Sequence, residues 1–565
     1  MKNSKTLITF FITLSLLYNI GNDIVAQELV AKESQAVEDK WPNGNLRSKG
    51  SFNVIGLQNG NWKFWFEDGQ IEEEVNYRNG VVHGEVKSWY PNGQLSNQGY
   101  FVRGFKDSLK TAWYLNGNKL YEGYYKNDKK IGEWNYWWAD GSKKLEEKYE
   151  VEGIRKIINA WNIDKEHTVN DGEGTLYSYN DQQKLESKID IKNKIFEGKA
   201  TYYFEDGTVK EEGEFKNGLK SGLWTTFYPG GRLKAKGNFL NNQKNGKWEE
   251  YFQNGQAWKK YEMDSGLLVS KYEQWYDNGQ LNFSGHYIAG EKDGKWNWFY
   301  KNGKPDMEGH FENGLRNGDW VFYFAEGNVE YQGKFSDDKK TGLWTFYYEN
   351  EKKWREGEFK EDMKNGEWTF WYENGKKLQK GNYLNDKEDG EWLAWYENGK
   401  EKDKGNFKEG VMHGRWEGWY ANKKKNYEGY WKDGLKDGEW IYYTNKGRIS
   451  EKGSYIEGKK DGFWESFFET GILQSKGNYK QGRSEGKWFY NYPTGQAFQE
   501  INYKNGLMHG KSISWHEMPG TVIRSKTNYK NGQADGVWEF YDKKQNLIRK
   551  VKYKDGQAVE NLKKD

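Results

Sequence analysis

The chain has 565 residues, a formal net charge of +3 and no cysteine, and its aromatic share of 18% is about half of its 35% hydrophobic share. The shortage of aliphatic residues argues against an ordinary globular enzyme with several aliphatic cores, and the many rings argue against disorder. The balanced charge gives no general attraction to nucleic acid or to anionic lipid, and the lack of cysteine excludes disulfides, a thiolate nucleophile and cysteine-ligated metal.

Residues 1–26 are predicted to be a secretory signal peptide. Lys2 and Lys5 form a basic start, and residues 7–20 form an apolar run. That run is shorter than the ~20 residues of a membrane span. We therefore expect an exported chain, in the periplasm, at the cell surface or secreted, with no membrane insertion after cleavage. Residues 27–40 are expected to be a polar linker or an N-terminal cap.

A 24-residue repeat runs through the rest of the chain. The sequence GEWTFWYENGK from Gly366 returns as GEWLAWYENGK from Gly390, and the same glycine anchor, or a serine in its place, marks twenty units. Such regular self-similarity indicates a repeat architecture. The predicted organisation is a repeat array over residues 41–152, a degenerate junction repeat over 153–173, a second array over 174–559 and a charged tail over 560–565.

Each unit is predicted to be a β-hairpin. An aromatic-rich run follows the anchor and is typical of a strand. An Asn-Gly turn follows it, as at Asn374-Gly375, and such residues tolerate the positive φ of tight hairpin turns. The predicted fold is all-β: an elongated, twisted antiparallel β-meander of about 20 tandem 24-residue hairpin repeats. Each unit adds two strands, or ~10 Å.

The rings recur at fixed positions, counted here from each anchor. Position 5 is Trp, Tyr or Phe in 19 of 20 units, and position 2 is Trp in 14 of 20. Large rings can cover a sheet that has no thick core, so we expect Trp371, at position 5, to be a large buried aromatic. Glycines at position 15, such as Gly381, Gly405 and Gly429, are expected to leave room for a ring from the neighbouring strand.

One region departs from the repeat. The anchors Gly132 and Gly174 are separated by 42 residues, and the segment between them is shortened and more aliphatic. It is interpreted as a degenerate repeat that could form a kink, with a specific partner site as the alternative.

No pattern of catalytic or metal-binding chemistry stands out. Six of the seven histidines fall in phase with the repeat, and no His-x-x-x-His pair exists. The segment 506–512 has three residues between its glycines where a phosphate-binding loop needs four. The acidic turn at 385–390 lacks the alternating ligands of a calcium loop. We therefore expect no enzyme activity and no catalytic, cofactor or metal site.

Two stretches carry a resemblance to a known family. Tyr-Glu-Gly-Tyr-Trp-Lys-Asp-Gly over residues 427–434, with Gly438 after it, resembles the MORN repeat, and residues 121–125 match the same signature. The Trp-x-x-aromatic-aromatic-x-Asn-Gly half is similar to the bacterial variant class of this family. The resemblance implies an extended antiparallel sheet that serves as a scaffold or binding surface. Some members of the variant class are labelled antitoxins.

Two binding functions remain open. The first is an extracytoplasmic scaffold that binds a protein partner, including an antitoxin or immunity role. The second is a cell-surface glycan-binding or choline-binding protein, because clusters such as residues 294–300 are similar to bacterial wall-binding repeats and aromatic cages suit sugars and quaternary amines. Neither function involves nucleic acid.

The candidate binding residues lie at position 4. This position varies widely, with Ser, Ala, Gly, Glu or Gln in many units. In four consecutive units it is a ring, which predicts a continuous apolar stripe ~30 Å long suited to a contact site. These residues, called the stripe below, are Trp298, Phe322, Phe346 and Phe370. Extra packing within the sheet is the alternative.

Overall fold

The computed structural model describes residues 35–151 and 153–563. These residues form 46 β-strands and no helix, which confirms the predicted all-β class. None of them forms a helix long and apolar enough to cross a membrane. The described residues divide into two compact units, one that ends at Lys220 and one that begins at Ser221. The predicted signal peptide and most of the predicted linker lie outside the described residues.

The first unit contains sixteen strands and the start of the seventeenth. They are β1 Gln35–Lys40, β2 Leu46–Phe52, β3 Gln58–Trp65, β4 Ile71–Arg78, β5 Val81–Trp89, β6 Leu95–Val102, β7 Phe105–Trp113, β8 Lys119–Lys126, β9 Lys129–Trp137, β10 Lys143–Tyr149, β11 Arg155–Trp161, β12 His167–Asn170, β13 Glu173–Tyr179, β14 Leu185–Lys192, β15 Ile195–Tyr203 and β16 Val209–Lys216.

The second unit contains the remaining strands. They are β17 Leu219–Phe227, β18 Leu233–Leu240, β19 Gln243–Tyr251, β20 Ala257–Asp264, β21 Leu267–Trp275, β22 Leu281–Ile288, β23 Glu291–Phe299, β24 Pro305–Glu312, β25 Leu315–Tyr323, β26 Val329–Ser336, β27 Lys339–Tyr347, β28 Lys353–Lys360, β29 Met363–Trp371, β30 Lys377–Leu384, β31 Lys387–Trp395, β32 Glu401–Lys408, β33 Val411–Trp419, β34 Lys425–Lys432, β35 Leu435–Tyr443, β36 Ile449–Ile456, β37 Lys459–Phe467, β38 Leu473–Lys480, β39 Arg483–Asn491, β40 Ala497–Lys504, β41 Leu507–Trp515, β42 Ile523–Lys530, β43 Gln533–Ala534, β44 Gly536–Tyr541, β45 Leu547–Lys554 and β46 Gln557–Lys563.

Within each unit the strands form an antiparallel meander, as predicted. β29, β30 and β31 show the repeating pattern: β30 pairs antiparallel with β29 on one side and with β31 on the other. Gly381 in β30 lies between Trp368 of β29 and Trp392 of β31. Most strand residues of a repeat therefore have a fixed neighbour in the next repeat, and a row of equivalent positions becomes a row on one face of the sheet.

Two kinds of turn connect the strands, and both need residues that tolerate positive φ. A five-residue turn closes most hairpins: the Gly375 N–H donates to the Tyr372 carbonyl (2.8 Å), and Gly375 has φ 87°. A two-residue turn links one hairpin to the next, with φ 49° at Asn385 and 67° at Asp386. Two consecutive positive values are typical of the tight type I′ turn that matches strand twist.

The hairpin turns are also joined to one another along the sheet. The Tyr372 hydroxyl donates to the Trp395 carbonyl (2.9 Å), and the Asn374 side chain donates to the Glu397 carbonyl (3.1 Å). The same tyrosine bond recurs 24 residues later, from Tyr396 to Trp419 (2.8 Å). This contact explains why position 6 is so often aromatic: the ring reaches across to the next repeat and its hydroxyl satisfies a carbonyl at the strand end.

The anchor glycine lies at a β-bulge. Gly381 pairs with Trp392 while the next residue pairs with Asp389, so two residues of β31 have no partner in β30. Gly390 is one of them and has φ 79°. Glycine adopts this region at no steric cost, and bulges commonly use it. The serine anchors keep the conformation, with φ 67° at Ser108 and 62° at Ser270.

The predicted junction repeat lies inside the first unit and has its own small core. Ile157, Ala160 and Val169 are at most 2% exposed and pack with aliphatic residues of the next repeat. Beside them Glu147, also 2% exposed, accepts hydrogen bonds from Arg155 Nε (2.6 Å) and from the Tyr136 hydroxyl (2.7 Å). The aliphatic side chains thus replace the usual tryptophan packing, and the buried carboxylate is fully partnered.

The strands extend slightly beyond the predicted array at both ends. β1 lies within the predicted linker or cap and pairs with β2. β46 reaches Lys563 and pairs with β45, so the first residues of the predicted charged tail are part of the sheet.

Candidate functional site

One face of the sheet, called the tryptophan face below, carries the ring of position 2 in most repeats. Trp344 and Trp368 are 0% exposed and Trp320 is 2% exposed. Each indole is fixed by its N–H, as when Trp368 Nε1 donates to the Glu358 carbonyl (3.1 Å). Our expectation for Trp371 was wrong, because position 5 is only half-buried. In most repeats the buried core residue is the tryptophan three residues earlier.

The glycine at position 15 makes room for that tryptophan, as predicted. A Cβ on Gly381 would lie 2.2 Å from Trp392 Cδ2, and one on Gly405 would lie 2.0 Å from Trp416 Cδ2. Where position 2 is smaller, the facing residue is larger: Val75 faces Val86 and Ile501 faces Ser512. The two positions therefore behave as a matched pair, with the indole lying directly on the glycine backbone.

Lysines cover several of the tryptophans on the same face. In these repeats the residue two before the anchor is a lysine that extends its Nζ over the indole, at 4.6 Å for Lys292 over Trp296 and 4.7 Å for Lys340 over Trp344. The aliphatic stems shield the ring while the ammonium interacts with its π face. Burial lowers the pKa of Lys292 and of Lys340, so these ammonium groups lie in a partly dehydrated environment.

The stripe residues belong to this face and join the tryptophans into a connected ladder of rings. Trp298 stacks on Trp320 at 5.7 Å between ring centroids, Phe322 stacks on Tyr331 at 4.3 Å, and Phe370 packs on Trp368 at 6.0 Å. The structure thus brings the four predicted residues into one cluster, although they touch through intervening rings rather than directly.

The four stripe residues differ in accessibility. Trp298, Phe322 and Phe370 are half-buried, whereas Phe346 is only 6% exposed. Phe346 packs against Tyr331 and Trp354 and has the Arg355 guanidinium 4.2 Å above its ring. Phe346 is therefore mainly a packing residue, while the other three present part of each ring to solvent.

Position 13 is a part of the site that sequence reasoning missed. Register places it directly opposite position 4 of the next repeat, so that Tyr331 faces Phe346 and Arg355 faces Phe370. Met307 occupies the same position one repeat earlier and faces Phe322. The fixed spacing between position 13 and position 4 of the next repeat is visible in the sequence. It shows that the two positions face each other only when the pairing register across the two-residue turn is known.

A shallow depression of about 410 Å³ lies beside the stripe in the second unit. Its lining includes Tyr331, Phe346 and Trp354, and Trp354 is 41% exposed. Glu330 forms one wall, and burial, with the nearby charge of Asp306, raises the pKa of its carboxyl group. The depression is aromatic with acidic walls.

Within residues 35–151 and 153–563, no three His, Asp or Glu side chains are grouped so that they could hold a metal ion. The most deeply buried carboxylate of the described chain, Glu147, is held by the hydrogen bonds given above.

The comparison with protein families decides what this array is. The MORN repeat variant family matches eleven segments, which are residues 58–79, 82–103, 196–217, 220–241, 268–289, 292–313, 340–361, 364–385, 388–409, 460–481 and 484–505. The chain carries MORN-variant repeats. Each matched segment starts at the beginning of the first strand of a hairpin, crosses the bulge and ends just after the second strand, so the MORN-variant unit and the structural repeat coincide.

No curated protein matches the chain. Solved structures align with the array at low similarity. A crystal structure of TcdB2-TccC3-Cdc42 aligns over 92% of this chain and 30% of its own, with 9% identity and a TM-score of 0.13. A structure of the Photorhabdus luminescens Tc holotoxin pore aligns over 93% and 30%, with 10% identity and a TM-score of 0.12. The chain thus spans less than a third of those chains, and scores this low carry no argument about fold or function.

Proposed function

We propose that this protein is an exported, non-enzymatic scaffold that binds a protein partner through the stripe, in the manner of an antitoxin or immunity protein that neutralises its partner. The observation that carries the proposal is the run of rings at position 4, a position that accepts Ser, Ala or Gly elsewhere. Export rests on the basic and apolar start of the sequence.

Geometry supports the stripe as a contact surface. The half-buried faces of Trp298, Phe322 and Phe370 lie on a preformed ladder, so they lose little side-chain freedom when a partner covers them. Large contiguous apolar patches on soluble proteins often mark interaction sites, and aromatic anchors are favoured at the centres of interfaces. The fixed hydrogen bonds of the neighbouring tryptophans hold the ladder in place.

The second candidate is a glycan or choline-type ligand in the aromatic depression. Rings with acidic walls suit a quaternary ammonium group. However, the Arg355 guanidinium already lies 4.2 Å from the centroid of Phe346 and 4.4 Å from that of Trp354. The positive charge of Arg355 would repel a second cation, so the protein-binding function is the better supported of the two.

The test of the proposed function is a pull-down with matched variants. Phe322→Ser with Phe370→Ser removes two accessible stripe rings and leaves the buried Phe346 in place. Tyr442→Ser with Tyr490→Ser makes the same kind of change at position 4 outside the stripe. We expect a partner from a cell-surface extract to be retained by the wild type and by the control and to be lost, by about tenfold or more, with the stripe variant.

Circular dichroism and thermal melting of all three proteins check that folding is preserved. If the folded stripe variant still retains every partner of the wild type, the binding surface lies elsewhere. The same proteins on a glycan array, with choline as a soluble competitor, test the second candidate: specific glycan or choline binding without a protein partner would replace the proposed function.

A further inference from the structure

Elsewhere on the tryptophan face, the lysine two before an anchor has a carboxylate partner in four places, whereas Lys436 donates to the Tyr442 hydroxyl instead. That carboxylate comes from position 4 or 13 in three places and from position 15 in one. The pairs are Lys220 with Glu211 (2.8 Å), Lys244 with Glu250 (3.3 Å), Lys130 with Glu147 (3.8 Å) and Lys460 with Glu451. The array therefore has a recurring way of neutralising the ammonium groups that lie over its tryptophans.

The stripe repeats lack these carboxylates. From residue 292 to residue 370, rings occupy position 4, and position 13 holds Met307, Tyr331 and Arg355. In the part of the chain that the structure describes, the side-chain nitrogens of Lys292, Lys340, Lys364 and Arg355 have no carboxylate oxygen within 4.0 Å, although the backbone N–H groups of Lys340 and Lys364 donate to Asp362 and Asp386. Arg316, in the same row, pairs with Asp338 on the linking turn (2.8 Å).

These unpaired cations are in an unfavourable environment. Burial lowers the pKa of Arg355, and burial together with repulsion from Arg355 lowers that of Lys340. Arg355 Nε is buried and has no hydrogen-bond partner. A buried donor without a partner costs free energy that a new acceptor would recover. The stripe is thus an aromatic surface on which three lysines and Arg355 have no carboxylate in direct contact, and the charge of Asp362 acts on Lys340 only from a greater distance.

We propose that the stripe binds an extended acidic segment of a protein, whose carboxylates take the places that Glu211, Glu250 and Glu451 take in other repeats. This inference rests on the proposed function and specifies its partner. The apolar side chains or the backbone of the segment cover Phe322 and Phe370. Its carboxylates form ion pairs with Lys340, Arg355 and Lys364.

The spacing of the cations favours an acidic peptide over a nucleic acid. Successive repeats are ~10 Å apart, and an extended polyproline-type chain advances ~3.1 Å per residue, so every third residue of a peptide meets the next repeat. Each strand of duplex DNA carries one phosphate per ~3.4 Å, so most of its charges would remain unmatched on this surface.

The test uses a synthetic 15-residue peptide with Glu at every third position and Pro and Tyr between. A second peptide has Gln in place of each Glu. We expect the acidic peptide to bind the full chain and the Gln peptide to bind at least tenfold more weakly, as measured by fluorescence anisotropy. A single-stranded oligonucleotide of the same length is the third probe, and tighter binding of this probe would overturn the proposal in favour of nucleic acid.

Arg355→Glu is the decisive variant because it keeps every ring. It places a carboxylate beside Lys364 in the way that Glu451 lies beside Lys460, so the repeat gains the internal pair found elsewhere and folding is expected to persist. Arg483→Glu makes the same charge change at an exposed site outside the stripe. We expect acidic-peptide affinity to fall about tenfold or more with Arg355→Glu and less than twofold with Arg483→Glu.

Failure of the acidic peptide to bind the wild type, or equal binding by the two arginine variants, overturns the acidic-segment proposal. The two proposals can fail separately. If captured partners are lost with Phe322→Ser and Phe370→Ser but are retained by Arg355→Glu, the stripe is the binding surface and its partner is not acidic. If neither variant affects capture, the proposed function fails as well.

Discussion

Replacing Gly357 with Val is expected to unfold the hairpins around Trp368. A Cβ at this position would lie 2.2 Å from Trp368 Cδ2 and 2.4 Å from Cγ, and the indole is 0% exposed with no space to move. Expelling the ring loses the burial of a large aromatic, which costs ~3–5 kcal/mol. Hydrogen exchange of the amides in residues 353–371 should rise strongly, while distant repeats should exchange as before, because repeat arrays are stabilised by nearest neighbours.

A second substitution is expected to restore stability. Gly357→Val with Trp368→Val reproduces the pair formed by Val75 and Val86, so the double variant should be more stable than the Gly357→Val single variant, with a coupling of ~1–3 kcal/mol. Gly99→Val is the matched control, because a Cβ there meets the flexible Lys110 side chain at 2.8 Å. A neutral effect of Gly357→Val, or strictly additive effects of the two changes, would contradict the packing described for this face.

Alkaline solution is expected to destabilise the whole array. Burial, reinforced by hydrogen bonds to Glu308 and Glu428, raises the pKa of Tyr323 and of Tyr443 to about 12, and burial raises that of Tyr272 to about 12. The unfolded chain releases these protons near pH 10. The folded state therefore holds protons that the unfolded state loses, so the stability contributed by these tyrosines is complete below pH 10 and is lost as the pH rises through 12.

Tyrosinate absorbance near 295 nm measures this effect directly. Tyr272, Tyr323 and Tyr443 should contribute a component of the native signal that titrates well above pH 10 and together with unfolding, and in denaturant that component should move to near pH 10. The half-buried lysines have the opposite effect on stability. Their lowered pKa means that burying the charged ammonium destabilises the folded state, and this destabilisation disappears as the pH rises. Tyrosinate absorbance does not report on lysine, so it separates the two effects. Native and denatured titration curves that coincide would show that the tyrosines are not held as described.

Much of the fold could be predicted from the sequence because each local signal agrees with the others. The anchor spacing gave the hairpin period, the Asn-Gly pairs marked turns that need positive φ, and the aromatic runs marked strands. The glycine facing the tryptophan was also predictable, since Gly381 recurs at the position where a neighbouring ring needs space. Eleven matches to MORN-variant repeats agree with that reading.

The site was harder to predict because it depends on pairing across strands. The frequency of rings at position 5 favoured Trp371 as the buried residue. A ring can also recur at a position because it makes edge contacts or cation–π contacts. The structure buries Trp368 instead. Arg355 was missed because only the register places it opposite Phe370. The lack of carboxylates around the stripe becomes visible only when the pairs of other repeats, such as Lys244 with Glu250, are known.

Hydroxyl-radical footprinting of the full chain with a captured partner tests the central claim most directly, because it reports the solvent access of individual side chains. Oxidation of Trp298, Phe322, Phe370 and Met307 is expected to fall several-fold in the complex, and oxidation of Tyr442 and Tyr490, at position 4 outside the stripe, is expected to stay unchanged. Unchanged oxidation of the stripe, together with protection of rings in other repeats, would contradict the claim that the stripe is the binding surface.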